Sequence, residues 1–217
     1  MWIKICGIRD AATAQRLCDL GADAIGLNFY SKSSRVITQD DAVRIASVTG
    51  DRIQRVGVFV NHPIAEVVDL ARACTLHAVQ LHGDELPADV TSIATQLPGV
   101  RIYRAWRMKG NSLADLSAHL DQCRLLGGGP AACLVDSYSP GTYGGTGHTA
   151  PWRDLVREYQ SSWPPLVLAG GLHAGNIREA ISIVRPWGVD VASGVESAPG
   201  VKDLELVRQF IANARSE

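Results

Sequence analysis

Eight short runs rich in isoleucine, valine and leucine alternate with eight segments of helical character, and this predicts an α/β fold of the (β/α)8 TIM-barrel class. Three observations support it. The alternation is strict, so each crossover returns the chain to the same end and the strands run parallel. Eight such units close into a barrel with no edge strand. The 217 residues leave about 27 for each unit, near the lower limit for this fold, so the loops must be short. An open, doubly wound sheet would satisfy the alternation too; the eightfold count favours the barrel.

The strand-like runs cover 2–8, 24–30, 53–60, 78–82, 101–108, 132–136, 166–170 and 189–195. In the first run, side chains alternate faces, so Lys4 and Cys6 point one way and Ile3 and Ile5 the other. Between strands, apolar residues recur at helical spacing: Ile64, Val67, Val68 and Ala71; Val90, Ile93, Ala94 and Leu97; Trp152, Leu155, Val156 and Tyr159; Ile177, Ala180, Ile181 and Val184; Leu204, Val207, Ile211 and Ala214. Segments 11–20, 38–48 and 113–125 carry weaker but compatible patterns. No linker, low-complexity tract or second domain interrupts them, so residues 1–217 read as one barrel domain.

Composition narrows the function. A 46% hydrophobic content suits a globular core, and a formal charge of −1 gives no general attraction to nucleic acid or an anionic membrane. No signal-peptide pattern or bilayer-length apolar run is visible, so no membrane partner is expected. Five cysteines without CxxC spacing fit reduced, mostly buried thiols and a cytoplasmic location. No helix face stands out as an apolar stripe, which leaves monomer and homodimer both open.

In a barrel, ligands bind where strands hand over to helices. Cys6 and Lys4 share a face at the end of the first strand, and a thiolate can take a proton from carbon near neutral pH. Lys4 is expected to favour that thiolate. Gly170 and Gly171 follow the seventh strand and Ser193 and Gly194 the eighth. Paired glycine turns there can bring backbone N–H groups to a phosphate, or simply permit tight turns. Neither turn holds a basic residue. Asp136 ends the sixth strand, where desolvation would suit it to act as an acid, or where it could cap the next loop. The glycine-containing segment 137–149 after it is long enough to cover a substrate. Arg35 is a candidate carboxylate clamp, or a solvated surface arginine. Gln80 and His82 share a face; His82 could bind substrate, shuttle a proton, or be satisfied structurally. No repeated ligand spacing argues for a metal, and no Walker or dinucleotide motif is present.

Lys4-Ile5-Cys6-Gly7-Ile8, Gln80-Leu81-His82-Gly83-Asp84-Glu85, Gly144-Gly145-Thr146-Gly147, Leu168-Ala169-Gly170-Gly171-Leu172, Asp190-Val191-Ala192-Ser193-Gly194-Val195-Glu196 and Pro199-Gly200-Val201-Lys202-Asp203 occur in that order. This set resembles the phosphoribosylanthranilate isomerases of tryptophan biosynthesis along essentially the whole chain. The resemblance implies an Amadori rearrangement of N-(5-phosphoribosyl)anthranilate without metal or organic cofactor. It implies Cys6 as base, Asp136 as acid and Arg35 on the anthranilate carboxylate. His82, Gly170, Gly171, Asp190, Ser193 and Gly194 would contact the rest of the phosphorylated sugar-anthranilate substrate. Two departures stand out. Ser34 replaces a proline of the family pattern, which loosens the strand-two loop. Thr149-Ala150-Pro151-Trp152 replaces a pattern with an aspartate, so this helix start relies on Thr149 and Pro151. Two rivals remain at this stage: a histidine-pathway ribose-phosphate isomerase, whose usual aspartate is here Cys6, and a phosphate-binding barrel that senses a metabolite.

Overall fold

A computed structural model describes residues 1–108, 112–137 and 152–216. Its strands are β1 (Trp2–Cys6), β2 (Ala24–Asn28), β3 (Gln54–Phe59), β4 (Ala78–Leu81), β5 (Arg101–Met108), β6 (Ala132–Ser137), β7 (Leu166–Leu168) and β8 (Gly188–Val191). They close into a barrel in chain order, with every neighbouring pair parallel. The intervening helices are α1 (Ala11–Asp19), α2 (Gln39–Thr49), α3 (Ile64–Ala73), α4 (Pro87–Gln96), α5 (Ala114–Leu125), α6 (Trp152–Glu158), α7 (Ile177–Val184) and α8 (Leu204–Arg215).

Side-chain caps start several of these helices. Asp10 accepts from the Thr13 N–H, Thr38 from the Asp41 N–H, and Asp203 from the Glu205 and Leu206 N–H groups. Each satisfies donors that the first helical turn leaves orphaned. The outer face of the strands, including Ile3, Ile5, Ile25, Leu27, Val79 and Leu81, packs with buried helix residues such as Leu17, Ile45, Val67 and Phe210 in one apolar core. Burying this stripe, and not helix propensity, holds the shell to the barrel.

The barrel interior is layered. Trp2 fills its N-terminal end, edge-on to Tyr103 at 5.8 Å and stacked on Trp187 at 5.1 Å. Gly188 leaves the space, because a Cβ there would lie 2.7 Å from the indole. Alanines at 24, 78, 105 and 132 accommodate the large rings across the interior. Above this apolar floor the inward positions turn polar: Lys4, Gln80 and Asp190, then Cys6, His82 and Asp136 toward the mouth.

Strand ends differ most from the sequence reading at glycines. The first strand stops at Cys6 because Gly7 takes a positive φ of 85°. The seventh stops at Leu168, ahead of Gly170 and Gly171 at φ 87° and 65°. The eighth stops at Val191, followed by a 3-10 turn (Ser193–Val195) and an unanticipated hairpin of β9 (Glu196–Ala198) and β10 (Val201–Lys202). The proposed substrate-covering segment lies outside the described residues from 138 onward, as do Thr149 and Pro151. Among the described residues, no helix is long and apolar enough to cross a membrane. The five cysteines are free thiols.

Candidate active site

Alternation along β1 places both Lys4 and Cys6 inside the barrel. Lys4 is fully buried, and its Nζ donates to Asp190 Oδ1 at 2.8 Å. The two residues are register partners on β1 and β8, which explains how positions so far apart in sequence meet. The ammonium also interacts electrostatically with the Cys6 thiol. Burial acts to lower the Lys4 pKa, but Asp190 and Cys6 together hold it above the ordinary lysine value. For Cys6 the balance goes the other way. Burial pushes the thiol up, Lys4 and Lys202 pull it down, and Asp190 opposes them, so the net shift is upward. Lys4 therefore acts in the expected direction, but burial outweighs it.

Gly26 on β2 faces the thiol. A Cβ at this position would sit 2.6 Å from Cys6 Sγ, so the absent side chain is what makes room for the sulfur.

Arg35 is no solvated surface arginine. Its Nε and Nη2 each donate to Glu196 at 2.7 Å, in a bidentate fork, and Lys202 Nζ donates to the same carboxylate at 2.7 Å. The two cations hold the Glu196 carboxyl below its ordinary value despite burial. Lys202 also donates to the Ala192 carbonyl at 2.9 Å, tying the hairpin to the end of β8. The stem of Arg35 runs over Gly7, where any Cβ would collide with it. The loop before Arg35 is pinned although Ser34 replaces proline: Ser33 Oγ accepts from Asn28 Nδ2 and from the Arg35 N–H, both at 3.1 Å.

Gln80 and His82 sit on the inner side at the end of β4. Gln80 Nε2 lies 2.9 Å from His82 Nδ1, and His82 Nε2 lies 3.7 Å from Asp136 Oδ2. Burial, with Lys4, Arg107 and Arg104 nearby, lowers the His82 pKa to about 3. The shift favours the neutral ring, which suits a hydrogen-bonding role at the mouth. The loop that carries it is fixed by Glu85, whose carboxylate accepts from the Asn61 and Gly83 N–H groups at 2.8 and 2.9 Å. Asp136 is buried at the inner end of β6.

At the seventh and eighth strands, the glycine turns pack directly on one another. A Cβ on Gly194 would collide with the Leu172 carbonyl. Asn176 Nδ2 donates to the Gly171 carbonyl at 3.0 Å and its Oδ1 accepts from the His173 N–H at 2.8 Å. The N–H groups of Gly170, Gly171 and Leu172 donate to nothing among the described residues. Ser193 and Gly194 form the adjoining 3-10 turn.

The fold thus joins Cys6, Lys4, Asp190, Lys202, Glu196 and Arg35 in one connected set, and sets His82 beside Asp136. Asp190, expected to face substrate, is engaged with Lys4. Sequence reasoning passed over Gly26, and it placed Glu196 and Lys202 in motifs without giving them a role. The Pro199-Gly200 pair between the last two was an available turn signal.

The sequence model of the family described as N-(5'-phosphoribosyl)anthranilate (PRA) isomerase matches residues 3–213. The chain belongs to the N-(5'-phosphoribosyl)anthranilate isomerase family. A family member from Trichlorobacter lovleyi is 43% identical over 213 residues, covering 98% of this chain and 97% of its own. The crystal structure of the phosphoribosyl anthranilate isomerase from Thermotoga maritima superimposes with a TM-score of 0.85 at 38% identity, covering 98% of each chain. An isomerase of this family in complex with reduced 1-(o-carboxyphenylamino)-1-deoxyribulose 5-phosphate matches at a TM-score of 0.82 and 35% identity, over 98% of this chain and 97% of its own.

Proposed function

We propose that this chain converts N-(5'-phosphoribosyl)anthranilate to 1-(2-carboxyphenylamino)-1-deoxyribulose 5-phosphate in tryptophan biosynthesis, with Cys6 as base and Asp136 as acid. The observation that carries the assignment of roles is the pairing of a lysine-backed thiol with a buried carboxylate on the inner face of the same barrel rim.

Protonated Asp136 gives its proton to the furanose ring oxygen. The C1–O bond breaks as the anilino nitrogen lone pair forms C1=N, leaving a cationic Schiff base. Beside this cation the Cys6 thiol loses its proton to solvent, and the resulting thiolate removes the C2 proton. The C–H electron pair becomes C1=C2, the C=N π pair returns to nitrogen, and a neutral enolamine results. Loss of the enol O–H proton and gain of a proton at C1 gives the ketone, so the net change is an isomerisation. The positive Schiff base lowers the cost of the thiolate at the step that needs it, adding to Lys4.

Arg35 is proposed to hold the anthranilate carboxylate through the edge of its guanidinium that Glu196 leaves unused. The turns at Gly170–Gly171 and Ser193–Gly194 would take the phosphate through backbone N–H groups. All these groups come from one chain, so a monomer and a homodimer would both hold a complete site. The free thiols fit a cytoplasmic enzyme.

The test is to mix purified protein with freshly generated phosphoribosylanthranilate and follow loss of its anthranilate-type fluorescence. Cys6→Ser and Asp136→Asn should each lower turnover by about two to four decades with binding largely intact. Wild-type turnover equal to buffer removes the isomerase reading.

A further inference from the structure

His82 presents an unsatisfied nitrogen to the mouth. Among the described residues its buried Nε2 has no hydrogen-bond partner; Asp136 Oδ2 stands at 3.7 Å, beyond hydrogen-bond range. A buried polar atom left in this state costs free energy unless something else meets it. Its other nitrogen is engaged: Gln80 Nε2 lies 2.9 Å from Nδ1. An amide nitrogen is only a donor, so Nδ1 must accept, and a neutral imidazole that accepts at Nδ1 carries its proton on Nε2.

We propose that Gln80 locks His82 in the Nε2–H tautomer, so that His82 donates a hydrogen bond to the sugar oxygen of the substrate beside Asp136 and does not carry protons itself. Gln80 is then a positioning residue and His82 a substrate-contacting donor. The inference rests on the isomerase reading for its substrate and on the geometry alone for its tautomer.

The charged groups around the ring are Lys4, Arg107 and Arg104 on the cationic side and Asp136 on the anionic side. The cations and burial favour the neutral ring, with a pKa of about 3. Lys4 lies beneath the ring level on β1, and Arg107 on β5 is the register partner of Asp136. A neutral donor suits this position. It can follow charge developing on the sugar oxygen without competing with Asp136 for the proton to be transferred.

The first measurement uses the wild-type protein with 15N-labelled histidine, assigning His82 by its loss in His82→Gln. The ring shifts should report the Nε2–H tautomer throughout about pH 5 to 8. An Nδ1–H tautomer, as a reversed Gln80 amide would impose, overturns the proposal, as does titration to imidazolium within that range. The second measurement is kinetic. His82→Gln places a non-titrating amide donor near the Nε2 position and should keep kcat within about tenfold of wild type, whereas His82→Phe should lose about a hundredfold. Equal losses in the two would show that titration or shape, and not donation, matters. Gln80→Glu places a carboxylate against Nδ1, should draw the proton there, and should lower kcat about as far as His82→Phe; wild-type kcat together with an Nδ1–H signal overturns the assignment. Absence of isomerase turnover in the wild type would strike the activity reading instead, and the tautomer would still be decided on the resting protein.

Discussion

At the scale of single residues, the balance at Cys6 decides how this barrel can do carbon-acid chemistry. Burial raises the thiol pKa, and Lys4 offsets only part of that rise. The resting thiol is therefore protonated near neutral pH, and alkylation should report it. Iodoacetamide reacts with the thiolate, so its rate at Cys6 should rise with pH through a midpoint above the ordinary thiol value. Lys4→Met removes the lowering influence and should move that midpoint further up; an unchanged profile would sink the role given to Lys4. Gly26 offers a second test at this scale. Gly26→Ala puts a methyl carbon 2.6 Å from Cys6 Sγ, so the sulfur must shift. Turnover should fall by about tenfold or more with substrate affinity altered less, since small misplacements of a reacting group are costly. The two pairs differ in what the sequence shows of them. Lys4 and Cys6 are two apart on one strand and can be read by alternation. Gly26 lies opposite Cys6 only once the register of β1 and β2 is known.

At the scale of elements, the segment after β8 carries most of what the sequence concealed. Apolar Val191 and Val195 extend the strand pattern, yet Gly194 and the 3-10 turn end it, and β9 and β10 fold back to bring Glu196 and Lys202 together. Period-two patterning cannot see where such a strand gives way to a turn, because the same residues satisfy both. The long β5, by contrast, lies where its alternation placed it. The hairpin makes a quantitative expectation. Glu196 accepts from both Nε and Nη2 of Arg35, and it neutralises Lys202. Glu196→Gln offers one acceptor oxygen in place of two and leaves two cations unbalanced. Arg35 then loses its fixed orientation, and KM for the isomerase substrate should rise about tenfold with kcat changed less. Steady-state kinetics would separate this from a fall in kcat alone, which would place Glu196 at the chemistry instead of behind the clamp.

At the scale of the whole molecule, eightfold alternation was enough to specify the barrel, because closure, parallel strands and short loops leave few other arrangements. What alternation does not convey is which polar side chains the finished barrel buries, and those set its response to pH. His82 lies in the mouth with a pKa lowered to about 3, and His119 lies on α5 beside Trp106, outside the strands, with a pKa lowered to about 4. Both are lowered chiefly by burial, with cationic neighbours adding to it. In the unfolded chain each would titrate near the ordinary histidine value of about 6.5. Between that value and the lowered one, the unfolded state binds more protons than the folded state, so stability falls as pH falls. Above about pH 6.5 the two states are alike in this respect and the contribution is flat. Carboxylates lowered by cations, such as Glu196, act in a separate window, from about 4.3 downward. Urea midpoints measured at about pH 7, 6 and 5 should therefore fall progressively, ahead of any carboxylate titration. The slope should lessen in His119→Gln and in His82→Gln, and lessen further in the double variant, because burial is the main cause at each site, even though Arg104 acts on both. Midpoints that hold constant from about pH 7 to 5 would mean that both histidines titrate alike in the folded and unfolded chains.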